Sequence, residues 1–236
     1  MNISSSLSMR YRNRSRIMKD ITTAEAYFLC AVQSKGKIFG HDDSKIACLL
    51  AAVFHEMKNS GLIELAGTKI KVIQKKELPA NCAAYLAPVI GHLRELDSLE
   101  LKIITQDYNS GWSDRRLNAL TTALGTGLAD RGLATKAKLG LFNGRVYFMP
   151  HKTAIPSLAA ELLVNILYQT PIASKDGFLW LLLEKSSCIP KDFSAQQRQE
   201  IHEKVAAAIQ SSPETNLAKL DMFTDKLLSL VKHYPI

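Results

Sequence analysis

One phrase occurs twice in this chain, and it limits what the chain can fold into. An apolar helical stretch runs into a Gly-Leu step, and a pair of strand-like segments follows. In the first copy the helix covers Ala47 to Met57, followed by Gly61-Leu62-Ile63-Glu64-Leu65 and Lys69-Ile70-Lys71-Val72-Ile73. In the second it covers Leu117 to Leu128, followed by Arg131-Gly132-Leu133 and by Lys138 to Phe142, turned at Asn143-Gly144 into Arg145 to Met149. Asn-Gly suits a type I′ hairpin turn, because both residues tolerate positive φ. Two helix–hairpin units with basic strands point toward a polyanionic partner, either nucleic acid or a membrane surface.

The remainder of the pattern is helical. Thr22 and Glu25 make a capping box ahead of Tyr27, Phe28, Leu29 and Val32, and Ser34-Lys35-Gly36-Lys37 breaks that helix. Asp42, Asp43 and Ser44 supply the N-cap and first-turn acids of the next helix. From Ile46 to Phe54 it is apolar on nearly every face, so it belongs at the centre of the core. Asn59-Ser60-Gly61 reads as its C-cap. Leu78-Pro79-Ala80-Asn81 opens a helical region carrying Tyr85, Leu86, Val89, Ile90, Leu93 and Leu96, and Tyr108-Asn109-Ser110-Gly111 reads as a loop. Ser113 caps the helix that carries Arg115 and Arg116. In the C-terminal third, Pro156 and Pro213 are first-turn prolines, Ser212 an N-cap, Ser194 and Gln197 a second capping box, and Pro171 and Pro190 separators. The predicted fold is mostly α: a single helical domain over 20–236 with two small β-hairpins, preceded by a flexible basic arm over 1–19.

The arm holds Arg10, Arg12, Arg14, Arg16 and Lys19 behind a serine-rich start. The whole chain has 30 Lys and Arg against 22 Asp and Glu, a net charge of +8. A surplus of that sign favours phosphate backbones or anionic lipid without dictating a fold. Hydrophobic residues make up 47% of the 236, enough for a sizeable core. The longest apolar runs, Ile46 to Phe54 and Phe178 to Leu183, are too short to cross a bilayer. With no apolar signal-peptide core at the start, the expected location is cytoplasmic, peripheral to membrane. Cys30, Cys48, Cys82 and Cys188 lie at no metal-ligand spacing and read as buried free thiols of a reducing compartment.

Catalytic motifs are missing. Gly125-Thr126-Gly127 lacks the third glycine of a dinucleotide loop and sits inside a helical pattern. His55-Glu56 has no second histidine four residues after the first, so the zinc-protease pattern fails. Gly111-Trp112-Ser113 is no nucleophile elbow, since position 115 is Arg. The acidic pairs Asp42-Asp43 and Asp97/Glu100 read as helix starts. The expectation is a non-enzymatic protein with no catalytic residue, no cofactor and no metal.

Two places suit anion or membrane contact. His41 precedes a helix N-terminus, a position that helps to hold an anion. The second hairpin carries Leu139, Leu141 and Phe142 beside its turn, flanked by Lys136, Lys138 and Arg145, and from Arg131 to Lys152 the chain has five Lys or Arg and no Asp or Glu. An apolar tip ringed by cations inserts shallowly into a charged bilayer, with burial and phosphate attraction acting together. The bland alternative is a half-buried hairpin whose alternate residues pack on the core.

Several of these stretches resemble the Golgi phosphoprotein family. They are Ile21-Thr22-Thr23-Ala24-Glu25, the Lys35-Gly36-Lys37 break, His55 through Leu65, Leu128-Ala129-Asp130-Arg131-Gly132-Leu133 with the apolar hairpin, and Leu179-Trp180-Leu181-Leu182. The individual motifs are degenerate; their order and spacing, from Lys19 to Ile236, make the likeness. It implies a mostly helical domain, a divergent bacterial member. In its eukaryotic members it implies binding to phosphatidylinositol 4-phosphate and an adaptor role toward protein clients, with the hairpin serving membrane insertion and homo-oligomer formation. The family's lipid pocket does not carry over intact. Its tryptophan falls at His41, and its arginines at Leu50, Asn118 and Thr121, or at Thr122 and Gly125 one turn on, all non-cationic. Arg115 and Arg116 are the nearby cations that would substitute. The resulting expectation is a peripheral protein binding anionic lipid, with His41, Arg115 and Arg116 at the head group and Lys138, Leu139, Leu141, Phe142 and Arg145 in the membrane hairpin. The alternative is a winged-helix-like nucleic-acid-binding protein with the hairpin as wing.

Overall fold

The computed structural model describes residues 21–73, 77–80, 82–96, 99–109, 115–139, 145–211 and 215–231. Its elements are α1 (Thr23–Val32), α2 (Asp43–Asn59), β1 (Ile63–Ala66), β2 (Lys69–Val72), α3 (Ala83–Glu95), α4 (Leu101–Asn109), α5 (Arg115–Asp130), β3 (Ala134–Leu139), β4 (Arg145–Pro150), α6 (Ala154–Tyr168), α7 (Ser174–Lys185), α8 (Ala195–Ser211) and α9 (Asn216–Val231). The fold is mostly α with two small antiparallel hairpins, β1–β2 and β3–β4. The basic arm, Leu141, Phe142, the Asn143-Gly144 turn, Ser113, Ser212 and Pro213 lie outside the described residues.

Helices α1 and α2 form the centre. Every residue of α1 is buried, and from Ile46 to Phe54 no residue of α2 is more than 1% exposed. Around this pair pack α7, α9 and α5, with α3 against α5 and α6 against α8. One contiguous set of buried side chains runs through all of them, including Trp180, Tyr27, Phe28 and Phe54. Removing that apolar area from water is the main driving force for the fold. Among the described residues no helix is long and apolar enough to cross a membrane.

The repeated phrase is one structural device used twice. Gly61 and Gly132 take φ +65° and +70°, the left-handed closure that glycine allows at a helix end. Leu62 N–H donates to Met57 O at 2.8 Å, and Leu133 N–H to Leu128 O at 2.9 Å, so both helices close with the same six-residue loop. The leucine carbonyl then accepts from the residue that follows the second strand: Ile73 N–H to Leu62 O and His151 N–H to Leu133 O, both 2.8 Å. Each hairpin is thereby stitched to the end of its own helix.

Local signals hold at most caps. Thr22 and Glu25 make both bonds of their capping box, and Ser194 and Gln197 make theirs at 3.1 and 2.9 Å. Pro156 lies in the first turn of α6, where no helical N–H partner is lost. Two expectations need correction. Asp42 occupies the N-cap of α2, but its carboxylate caps nothing there. Its backbone (φ −86°, ψ 58°) is not the extended cap conformation, and Oδ2 instead accepts from Phe39 N at 3.0 Å. Tyr108 and Asn109 are not loop; they end α4. Tyr108 is 3% exposed and packs edge-on to His92, so tertiary burial carries the helix through residues whose local preference is a turn.

Candidate functional site

The second hairpin is anchored by one ring. Its ladder runs from Ala134↔Pro150 to Leu139↔Arg145, so Phe148 faces Lys136 across it. Phe148 is 3% exposed and enters between α1 and α5, edge-on to Phe28 at 6.2 Å. It can do so because residue 125 has no side chain: a Cβ at Gly125 would lie 2.3 to 2.6 Å from three atoms of the Phe148 ring. Gly125 therefore makes room for an aromatic anchor inside a helix, and Gly125-Thr126-Gly127 is no phosphate loop.

The loop between α1 and α2 adds a third ply beside β4. Phe148 N–H donates to Gly36 O at 2.7 Å. Gly36 has φ +68°, and a Cβ there would lie 2.8 Å from Met149 Sδ and 3.3 Å from Tyr147 Cβ. Glycine permits both the backbone angle and the close approach. On this loop Phe39 gathers cations. Lys35 Nζ and Lys37 Nζ lie 5.4 and 5.3 Å from its ring centre, and the His41 ring stacks on it at 5.5 Å. These are cation–π distances. Lys35 and His41 are exposed, while Lys37 is only 8% exposed, its stem buried. Beside this ledge Met149 is 45% exposed. Lys136 and Lys138 are exposed on β3, the outer strand.

The two hairpins differ in how their charge is balanced. On the first, Lys71 pairs with Glu64 at 3.1 Å and Lys69 lies 3.8 Å from Glu100. Among the described residues, Lys35, Lys37, Lys136 and Lys138 have no carboxylate partner. Four cations without a carboxylate partner among the described residues thus lie on the hairpin and on the loop joined to it at Gly36.

The expected head-group residues separate in space. His41 belongs to the Phe39 ledge. Arg115 lines an open groove of about 540 Å³ along α5, with Ala84, Asn118, Thr122, Thr126 and Asp130 among its walls. Arg116 turns instead to α3, where it meets His92 Nδ1 and lies 3.9 Å from Glu95. His92 Nε2 lies 3.1 Å from Asp107 Oδ2 without hydrogen-bond alignment, and burial raises the Asp107 carboxyl above the usual range. Of the positions the resemblance assigns to arginines, Leu50 is buried and Thr121 is buried with its hydroxyl on Leu117 O at 2.7 Å. Gly125 is covered by Phe148, and Asn118 and Thr122 line the groove. Of the hairpin residues, Lys138 is exposed, and Leu139 and Arg145 pair as the last rung of the ladder. Sequence reasoning took Lys35 and Lys37 only as part of a helix break and did not single out Phe39. The available signal was two lysines followed by two ring residues at every second position: Lys35, Lys37, Phe39 and His41.

Other polar groups of the core find their partners inside it. Glu56 Oε1 accepts from Ala24 N at 2.9 Å and Oε2 from Tyr85 Oη, while burial raises its carboxyl. Glu25 pairs with Arg131 and accepts from Thr22 N at 3.0 Å. His55 Nε2 meets Asn59 Nδ2 at 2.9 Å, and its ring stands edge-on to Phe178 at 5.0 Å. Burial, with the Lys58 charge adding, pushes His55 down to about 4. Among the described residues no group of three or more His, Cys, Asp or Glu could hold a metal ion. No protein-family model matches this chain, and no curated protein matches it. The likeness to the Golgi phosphoprotein family rests on the quoted motifs and their order.

Proposed function

We propose that this protein binds anionic membrane surfaces peripherally through the β3–β4 hairpin and the Phe39 ledge, acting by attachment rather than catalysis. The observation that carries the reading is the charge contrast between its two hairpins. Lysines of β1–β2 have carboxylates within reach, whereas Lys35, Lys37, Lys136 and Lys138 have none among the described residues. Unpaired cations around half-exposed apolar groups suit lipid phosphates at a bilayer surface, where each contributes on the order of 1 kcal/mol and salt weakens them. Leu141 and Phe142, which lie outside the described residues, are the proposed inserting pair. Phosphatidylinositol phosphate is the proposed head group, with a protein-client adaptor role and hairpin-mediated self-association as the further roles the family likeness suggests. The helices preceding the hairpins present no basic face for duplex DNA: α2 is apolar and buried, and the open face of α5 carries Asn118, Thr122, Thr126 and Asp130 beside Arg115.

Co-sedimentation with neutral, anionic and phosphatidylinositol 4-phosphate vesicles at low and physiological salt tests this. Lys136→Gln/Lys138→Gln should weaken anionic binding about 10- to 30-fold, from two lost contacts of ~1 kcal/mol each. Lys69→Gln/Lys71→Gln removes the same charge from the other hairpin and should change it little. Equal losses would reduce the interaction to net charge and sink the assignment to this hairpin. Binding to duplex DNA but to no vesicle would replace it with the nucleic-acid reading.

A further inference from the structure

Besides the hairpin surface, an open groove of about 540 Å³ lies along α5. Its floor is made of Ala119, Ala123 and Gly127, with Ala84 of α3 as a wall. Gly127 differs from its neighbour Gly125. Where Phe148 fills the space over Gly125, a Cβ on Gly127 would meet only Glu25 Oε1, at 4.0 Å. A glycine inside a helix is destabilising relative to alanine, and no described side chain uses the room. At that end of the groove Asp130 is exposed and has no ion-pair partner among the described residues. Arg115 stands at the opposite end.

The chain enters α1 at the Asp130 end. Thr22 Oγ1 lies 3.0 Å from Tyr85 Oη, one residue along from the groove wall Ala84. Glu25 pairs with Arg131 and borders Gly127. Residues 1–20 are therefore joined to the fold at Ile21, near the point where Ala84, Gly127 and Asp130 converge. Their last residues are Arg16-Ile17-Met18-Lys19-Asp20, and from Met1 to Lys19 there is no acid.

We propose that this N-terminal segment docks back into the Asp130 end of the α5 groove. Ile17 and Met18 lie over the small-residue floor, and Arg16 or Lys19 pairs with Asp130. The groove is about 20 Å long at 1.5 Å per helical residue, and an extended segment covers it with about 7 residues at ~3.3 Å each. Docked, the arm is withheld from anionic surfaces, and a membrane competes with Asp130 for its cations.

Limited trypsin digestion of the full chain without lipid tests the docking, so the outcome is separate from the membrane reading. Cleavage after Arg14, whose following residues Ser15, Arg16 and Ile17 are held in the docked state, is followed by mass spectrometry. In the unaltered protein it should be at least 5-fold slower than in Gly127→Leu, which fills the floor, and in Asp130→Arg. Arg16→Glu/Lys19→Glu alters only the arm, so it reads the same release even where a groove variant folds poorly. Adding Asp130→Arg to that pair should restore protection. Equal cleavage rates in the unaltered chain and the arm variant would overturn the proposal, as would failure of the charge swap to restore protection.

Discussion

Replacing Gly125 by Ala should destabilise this protein, although alanine is the better helix former by about 1 kcal/mol. The added Cβ would meet the Phe148 ring at 2.3, 2.4 and 2.6 Å, well inside van der Waals contact. A ring held between α1 and α5 cannot swing aside as a flexible chain end can. Overpacking costs about 1–3 kcal/mol, and a misfit of more than 1 Å belongs in the upper half of that range. The net loss should then be about 1–2 kcal/mol, a fall in Tm of roughly 2–8 °C for a chain this long. Phe148→Ala alone should cost more, about 3–5 kcal/mol, because a nearly buried ring is lost and a cavity is left. Once the ring is gone, the clash is gone. In the Phe148→Ala background Gly125→Ala should become stabilising by about 0.5–1 kcal/mol, reversing sign. Urea unfolding followed by circular dichroism gives all four corners of the cycle. A stabilising Gly125→Ala in the unaltered protein, or additivity of the two changes, would refute the account of how the hairpin is seated.

Three further outcomes follow from the same packing. His55 is pushed down to about 4 by burial, so the folded state resists its protonation while the unfolded chain does not. Its contribution is full above about pH 6.5 and is lost as pH falls toward 4; a shift of that size is on the order of 3 kcal/mol. Chemical denaturation from pH 7 to 4.5 should fall more steeply for the unaltered chain than for His55→Gln, and parallel curves would remove His55 as the cause. Gly61→Ala and Gly132→Ala each force alanine into positive φ and should each cost about 1–2 kcal/mol; the repeated device predicts similar values, and a negligible loss in either urea-unfolding series would break the equivalence. All four cysteines are free and buried, and burial lifts Cys48 to about 12 and Cys82 to about 11. A thiol-disulfide reagent at pH 8 should consume none of them until urea unfolds the chain, and rapid reaction of any one in the native state would contradict this packing.

Much of the fold could be read from local chemistry. Capping boxes at Thr22 and Ser194, the glycines at 61 and 132, and the apolar run from Ile46 to Phe54 each act over a few residues. The forces involved are short-range: hydrogen bonds to the first-turn amides, the steric freedom of glycine, and side-chain periodicity. The same locality explains the miss at Tyr108 and Asn109, where burial against His92 overrides a turn-like composition.

The candidate site was only half legible, because it is assembled from distant parts of the chain. Sequence alone determined that this protein is mostly helical, carries two hairpins, and has a basic second hairpin without acids. It could not determine that Gly125 yields its place to Phe148, or that Gly36 binds β4 and brings the Lys35, Lys37 and Phe39 ledge beside Lys136. Nor could it show that Arg115 and Arg116, adjacent in the chain, diverge to a groove and to His92. Periodicity along a chain fixes which face of an element is apolar. Which faces meet, and which charges are left without partners, depends on the packing of all the elements together, and only the tertiary structure decided that.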